Sequence, residues 1–600
     1  GLASNYTLTG GTHNFTVNPK VISLSGSRLY DATTDAVASD LTTISGLVGS
    51  ETLNLSGTGS VTNANVASNK TVTLGTLALA DNSGLAANYT LSGGTHQLTI
   101  NQRPLAATVA RQYDGTKTAA GSDLSSFDAL QGGETLTLSG SGTVGDENVA
   151  NGQGITLGTL ALVDGTGLAS NYSLNSASLN ITERVLNSSG SKTYDANTNA
   201  LAGAITLSNL VSGEALNHSG TATISSANAG SYTITNLAGI TIADGSGGTA
   251  SNYTLTGGTH NFTVNRRVVG VSGTRLYDAT TNAVASDLST HTNLVGTETL
   301  NLSGTGTIAS KNVGSNKTVS VGTLALADGS NGGLAANYTL SGGTHQLTVN
   351  QRPLNATLSR QYDGTTTSAG SDLSSFDALQ GGETLTLSGS GTSASANVAN
   401  GIAMSSNGNL ALVDGTGLAS NYSLNSTVIN ITERVLNSSG SKIYDANTDA
   451  LAADITLSNL VSGEALNHSG TATISSANAG SYTITNLAGI TIADGSGGTA
   501  SNYTLTGGTH NFTVNPKVVS IQGNKTYDGN TTISSGDITS ITDTVGAETL
   551  VISSGSGTVS SANAATYASA GINEGTLTLG NGTNGGLASN YTLTGHAASS

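Results

Sequence analysis

The 600-residue chain contains no cysteine and no tryptophan, one methionine, four prolines and five phenylalanines. Without cysteine, disulfide stapling and thiol catalysis are excluded, while an extracellular location stays open. Charged residues make up only 9% of the chain, with a net charge of −17 and a pI near 4.7. That balance leaves no basic patch to neutralise phosphates, which argues against nucleic acid and anionic membrane as partners. No apolar run approaches the roughly 18–20 residues of a membrane span, and no signal peptide is recognisable. The first residues, Gly1-Leu2-Ala3-Ser4-Asn5-Tyr6, fall inside a recurring motif. The sequence is therefore expected to be an excerpt from a longer array.

What is abundant is glycine, with 80 residues, together with serine, threonine, asparagine and alanine; tyrosine, at 18, is the main large side chain. Val, Ile, Leu and Tyr alternate regularly, so this is not a disordered composition. Tyr-Asp recurs at Tyr30, Tyr113, Tyr194, Tyr277, Tyr362, Tyr444 and Tyr527, at spacings of 81 to 85 residues. Asn-Tyr recurs at Tyr6, Tyr89, Tyr172, Tyr253, Tyr338, Tyr422, Tyr503 and Tyr591. A fixed period of this kind marks a repeat architecture. Residues 1–18 read as the end of a preceding module. Modules then run over 19–101 (type A), 102–182 (B), 183–265 (C), 266–350 (A), 351–432 (B), 433–515 (C) and 516–600 (A, with its last strand missing or altered). Residues 185–265 and 435–515 differ only at Thr193/Ile443, Asn199/Asp449, Gly203/Ala453 and Ala204/Asp454. Recurrence between such recent copies says little; features shared by types A, B and C say more.

Short alternating runs separated by Gly, Asn, Asp and Ser clusters predict β-strands throughout, six to eight per module. Examples are Asn5–Thr9, Thr52–Ser56 and His13–Val17, the last with Phe15 and Val17 facing inward. One stretch, Asp123–Leu130, is a candidate for one or two helical turns. The expected fold is all-β: a tandem array of about 83-residue β-sandwich-like modules forming an elongated rod. The alternatives are β-grasp-like modules using that short helix, or a β-helix or solenoid. All four prolines lie at module junctions, as do Lys20, Arg103, Arg184, Arg266, Arg267, Arg352, Arg434 and Lys517. These basic residues suggest salt bridges between modules, or solvated linker charge. The shortness of the junctions suggests a semi-rigid string.

The Tyr-Asp pairs (Tyr30-Asp31, Tyr113-Asp114, Tyr194-Asp195, Tyr277-Asp278, Tyr362-Asp363, Tyr444-Asp445, Tyr527-Asp528) are read as structural anchors. In each, a tyrosine is buried beside an Asp-led turn. Gly follows the Asp in three copies and Ala in four. Ala tolerance implies that this position needs no positive φ, which favours a type I turn. Asp81, Asp164, Asp244, Asp328, Asp414 and Asp494 each open a polar loop before Asn-Tyr and are weak calcium candidates. Each loop offers a single carboxylate, with no Asp-x-Asp-x-Asp pattern. His13, His96, His260, His345 and His510 recur once per module and read as strand surface residues. Nothing resembles a catalytic triad. Asn-x-Ser/Thr sequons are dense, at Asn5, Asn14, Asn54, Asn69, Asn88, Asn171, Asn180 and Asn217 among others, and leave glycosylation open.

Four motifs occur in a fixed order: Tyr362-Asp363-Gly364-Thr365-Thr366, Gly132–Gly140 (Gly-Gly-Glu-Thr-Leu-Thr-Leu-Ser-Gly), Lys311–Val319 and Ala3–Leu8. That order resembles the YDG-type and related MBG repeat domains of large bacterial exoproteins, filamentous-haemagglutinin-like adhesins exported by two-partner secretion. Four copies depart from the pattern by carrying Tyr-Asp-Ala. The resemblance implies a secreted or surface-anchored adhesin stalk and supplies no catalytic residues or cofactor. The expected function is therefore the stalk region of an extracellular or cell-surface bacterial adhesin, giving length and stiffness to project a binding region. The alternative is a self-associating extracellular fibre or biofilm-matrix protein whose repeats bind other chains or polysaccharide. Other cells, polysaccharide or copies of itself are the expected partners, without membrane insertion and without enzymatic activity.

Overall fold

The structure, a computed structural model, describes residues 1–7 and 9–593. Among the described residues every regular element is a β-strand or a three-residue 3-10 turn, and there is no α-helix. The candidate helix at 123–130 is instead a 3-10 turn, Gly121–Asp123, followed by the strand Leu124–Phe127. Ser125 and Ser126 of that strand are exposed, and Leu124 and Phe127 pack inward. The ladder to the strand at 103–112 shifts register between Thr108 and Val109, a bulge at which both serines face outward, and the run is too short to nucleate a helix. A β-grasp, which needs a helix across its sheet, is therefore not formed.

The module at 183–265 illustrates the topology. Its strands are β1 (Arg184–Val185), β2 (Asn187–Thr193), β3 (Asn199–Leu201), β4 (Ile205–Ser208), β5 (Leu216–Ile224), β6 (Gly230–Asn236), β7 (Ile240–Asp244), β8 (Tyr253–Thr254) and β9 (His260–Asn265). Its siblings hold eight to ten strands, so the modules at 102–182, 351–432 and 516–600 match the expected six to eight and the others exceed it. The sheet runs β3-β5-β6-β9-β2-β4, and β7 adds to β5. Strand β5 serves three ladders because it bends at Gly220: residues 216–220 pair with β7, while beyond the bend residues 221–223 pair with β3 and residues 223–224 with β6. Gly220 has φ 99°, and a Cβ there would lie 1.9 Å from the Gly239 carbonyl oxygen, so no other residue fits. The first long strand, β2, and the last, β9, lie side by side and parallel at the centre of the sheet. Parallel neighbours demand a long crossover, and here everything between them supplies it. Each module thus closes on itself, unlike a coil of a continuous solenoid.

The cores are small. Ala200, Ala222, Ile224, Phe262 and Val264 fill this one, each at most 2% exposed. Core clusters continue across module borders: Leu105, Leu136 and Tyr172 of the module at 102–182 join Ile22, Leu24 and Leu98 of the one before. By chain contacts, residues group into two compact units. One comprises Gly1–Val269, Asn293–Asn301 and Leu326–Gly343; the other comprises Gly270–Thr292, Leu302–Ala325 and Thr344–Ser600.

One expectation near the ends differs from the structure. No strand forms within the described part of residues 1–18, and Phe15 is 91% exposed, where its counterparts Phe262 and Phe512 are buried. Phe262 sits on β9, opposite Gly190 of β2, about seventy residues upstream in its own module. No such upstream strand lies in this sequence to cover Phe15. The altered last strand assigned to the module at 516–600 falls on 594–600, outside the described residues.

The near-duplicate B modules expose one flaw. Ser368 and Thr427 carry buried hydroxyls with no hydrogen-bond partner, where the first B module has Ala119 and Ala177. A buried unpaired hydroxyl costs about 1–3 kcal/mol. Ser368→Ala and Thr427→Ala are each expected to stabilise the module at 351–432 by about 1 kcal/mol or more. Denaturant midpoints measured against the parent check this, and an unchanged or lower midpoint would show that the hydroxyls are satisfied in solution.

Candidate functional site

The recurring motifs meet at the borders between modules. Tyr113 directly follows the first strand of its module, Arg103–Gln112, and its hydroxyl donates to Oε1 of Glu214 in the next module at 2.6 Å. Tyr253, from the Asn-Tyr motif of that next module, donates to Oε2 of the same carboxylate at 2.7 Å. The two rings pack edge to face, 5.4 Å apart at 78°. Edge-to-face packing adds about 0.5–1.5 kcal/mol beyond the area buried. Tyr253 also accepts the backbone N–H of Val211, which fixes the loop that carries Glu214.

The same joint recurs with Tyr30, Glu134 and Tyr172, Tyr194, Glu298 and Tyr338, and Tyr277, Glu383 and Tyr422. It recurs again with Tyr362, Glu464 and Tyr503, and with Tyr444, Glu548 and Tyr591. Ring separations span 5.2–5.4 Å across the set. Three joints lie wholly in each compact unit.

The asparagine of Asn-Tyr completes the joint. Asn252 is 1% exposed; its Oδ1 accepts the N–H of Val149 at 2.8 Å and its Nδ2 donates to Asn148 at 2.7 Å, both in the preceding module. Asn171, Asn337, Asn421, Asn502 and Asn590 do the same with their neighbours. The sequon asparagine Asn171 therefore has its amide buried in the joint, out of reach of a glycan.

Burial raises the tyrosine hydroxyls, and the hydrogen bond to a carboxylate raises them further. Tyr30, Tyr194, Tyr362 and Tyr444 are pushed up to about 12. Their partners Tyr172, Tyr338, Tyr422 and Tyr591 also reach about 12, as does Tyr253. Tyr113, Tyr277 and Tyr503 shift in the same direction. One joint carries an extra cation. Lys311 reaches Oε1 of Glu383 at 2.6 Å and stands 5.9 Å above the Tyr277 ring. Burial alone would raise the Glu383 carboxyl. The hydrogen bonds from Lys311, Tyr277 and Tyr422, with the Lys311 charge, outweigh it and hold the group below its ordinary value.

The junction arginines do not form the inter-module salt bridges that their charge suggests. Arg103 Nε donates to the backbone carbonyl of Tyr30 at 2.6 Å, and Arg352 does so to Tyr277 at 2.7 Å. Arg184, Arg267 and Arg434 reach Tyr113, Tyr194 and Tyr362 from Nη1. Each guanidinium satisfies the carbonyl of the tyrosine that crosses the border, so the positive charges act as backbone clamps.

The aspartates of Tyr-Asp hold the turn that aims the tyrosine. Asp114 Oδ1 accepts the N–H of Thr116 at 2.9 Å and pairs with Arg111. Asp31, Asp195, Asp278, Asp363, Asp445 and Asp528 pair in the same way with Arg28, Lys192, Arg275, Arg360, Lys442 and Lys525. The turn is not type I. The residue after Asp has positive φ in all seven copies, including Ala32 (64°), Ala196 (62°), Ala279 (63°) and Ala446 (62°). Ala tolerance is thus a poor guide here, because the Asp-to-backbone bond and the ion pair over-determine a conformation that costs a non-glycine about 1–2 kcal/mol. Glycine is required where the neighbour comes close: a Cβ on Gly115 would lie 2.9 Å from Val211 Cγ1. Gly115→Ala is expected to destabilise by about 2 kcal/mol, and Ala196→Gly to stabilise by about 0.5 kcal/mol after its larger unfolded-state entropy. Thermal melts of the two variants check the opposite signs. Tyr527, the seventh anchor, is 66% exposed. Each sibling tyrosine is covered by a Glu-bearing loop about one hundred residues downstream, and no such loop covers Tyr527 among the described residues.

Asp81, Asp164, Asp244, Asp328, Asp414 and Asp494 are caps. Each accepts, at 2.6–2.7 Å, the N–H that opens the 3-10 turn before Asn-Tyr. Asn581 does the same for Ala588 at 2.8 Å, so the job needs no charge. Among the described residues no group of three or more His, Asp or Glu side chains is placed to hold a metal. His96, His260, His345 and His510 are buried rather than on the strand surface. In His260, Nε2–H donates to the Leu255 carbonyl at 2.7 Å and Nδ1 faces Ser188 Oγ at 2.9 Å. No helix among the described residues is long and apolar enough to cross a membrane.

The glutamates of the joints are what sequence reasoning missed. Glu134, Glu214, Glu298, Glu383, Glu464 and Glu548 each precede Asn-Tyr by about forty residues in all three module types. That recurrence was the available signal, but a carboxylate with two partners in separate motifs shows no local pattern.

The family profile of the YDG domain matches residues 12–97, 95–181, 177–260, 263–347, 345–429 and 432–512. No curated protein matches the chain. Among solved structures, the Bacillus anthracis TIE protein is similar at 7% identity over 64% of this chain and 73% of that chain, with a TM-score of 0.13, too low to carry an argument.

Proposed function

Because the chain belongs to the YDG domain family, in six tandem copies between residues 12 and 512, we propose that it is the repetitive stalk of a secreted or cell-surface bacterial adhesin. The parent would be of the filamentous-haemagglutinin type, with the repeats holding a binding region away from the cell. The observation that carries this reading is the joint. One carboxylate shared by two tyrosines from successive modules, repeated six times, resists bending between neighbours. Junctions of a single residue between the last strand of one module and the first of the next leave no slack. No step of the role requires catalysis, calcium or another cofactor.

X-ray scattering and rotary-shadowed images of truncations ending at residues 265, 432 and 515 test the reading. Length is expected to grow by a constant step per module, with the chain monomeric at high concentration. Concentration-dependent assembly, or capture by polysaccharide, would instead favour the matrix role. Chelation with EDTA is expected to leave the thermal transition unmoved; a fall in the transition would reinstate the six loop aspartates as calcium ligands.

A further inference from the structure

We infer that each complete module is a shear clamp, a device that lets the chain carry tension along its length without opening. This rests on the strand order alone and goes beyond the stalk reading, which asks only for length and stiffness.

In the module at 183–265, β2 and β9 are parallel neighbours with six register pairs, from Ser188 opposite His260 to Thr193 opposite Asn265. The chain enters at the start of β2 and leaves at the end of β9. Tension between the two ends therefore pulls β2 and β9 in opposite directions along their common axis. All the slanted hydrogen bonds of the ladder are strained together, and none can break first. The short pair β1 and β8, with Arg184 opposite Tyr253, is parallel too and is loaded in the same sense. Had the two strands been antiparallel, the ends would sit together and tension would peel the bonds one at a time.

The same pairing recurs. Residues 25–29 pair with 97–101, and residues 438–443 with 510–515. The B modules carry the longest clamp: residues 103–112 pair with 172–182 in ten register pairs, and 352–361 with 422–432 likewise. A single residue separates each clamp from the next, such as Gln102 or Glu183, so load passes between them without a compliant linker. Forced opening is governed by the unfolding rate, not by equilibrium stability. A small core can therefore coexist with high resistance.

The absence of cysteine makes the test clean, because handles can be placed at will. In the full chain, E183C/R266C loads β2 and β9 in shear. T193C/R266C attaches at the same end of both strands and peels them. Each handled chain must first melt at the parent temperature. Single-molecule pulling is expected to give a several-fold higher opening force for the shear pair. Within the unmodified chain pulled from its ends, the two B modules are expected to open last. Equal forces for the two handle pairs would overturn the clamp. That outcome would leave the stalk reading standing, since scattering lengths do not depend on pulling direction, and a short or self-associating chain with a strong clamp would do the reverse.

Discussion

Glu214→Ala is expected to uncouple the module at 183–265 from the one before it. The carboxylate accepts from Tyr113 and Tyr253, and both rings are at most 4% exposed. Removing it deletes two charge-assisted hydrogen bonds, worth about 1.5–3 kcal/mol each, and leaves two buried hydroxyls unpaired. A loss of about 3–5 kcal/mol in coupling follows. In a linear array, stability is the sum of each repeat and its interfaces, so the loss falls on one border only. Calorimetry of the segment 19–350 is expected to show the transition splitting, with the modules on either side of residue 183 melting apart. Glu214→Gln keeps one acceptor oxygen and turns the other into a donor, so about half of the effect is expected. Asp164→Asn, in a capping position that Asn581 fills elsewhere, serves as the control and is expected to be nearly silent. A Glu214→Ala chain that melts as one transition at the parent temperature would remove the joint from the account.

The second large effect is alkaline. Six joints hold two tyrosines each, hence twelve, and all twelve hydroxyls are raised from the ordinary value of 10.0. A raised folded-state value means that the folded chain holds the proton more tightly than the unfolded one. The contribution is therefore complete below about pH 10 and is lost as pH climbs through about 12. Ionising either ring places a phenolate beside the carboxylate it was bonded to, so each joint fails by charge repulsion within a site of low dielectric. The expected result is a steep loss of β-sheet circular dichroism between those limits, coincident with the rise in tyrosinate absorbance. Gradual ionisation near pH 10 with the sheet signal intact would show that the hydroxyls are not tied to the fold. At the acid end the Glu383 joint contributes. Its depressed carboxyl contributes above the ordinary value of 4.5, and that contribution fades as pH falls through the folded value.

The sequence by itself determined the repeat, the all-β class and the recurring tyrosine and asparagine positions, though not the glutamates that join them. The lack of cysteine excluded staples, period-two alternation pointed to strands, and the fixed recurrence of Tyr-Asp and Asn-Tyr marked the same positions in every module type. Those are local properties, written in spacing and side-chain type. What only the tertiary structure decided is where the two motifs meet. Tyr113 and Tyr253 are 140 residues apart in sequence and 5.4 Å apart in space, and the glutamate between them comes from a third stretch. Nothing local encodes that meeting, because it depends on how one closed sheet lands on the next. The left-handed turn at Ala32 and its siblings escaped for the same reason: a side-chain cap and an ion pair override the backbone preference that the residue type implies. The parallel pairing of β2 with β9 is likewise a property of the finished module, since a strand's sequence fixes its faces and leaves its neighbours to the fold.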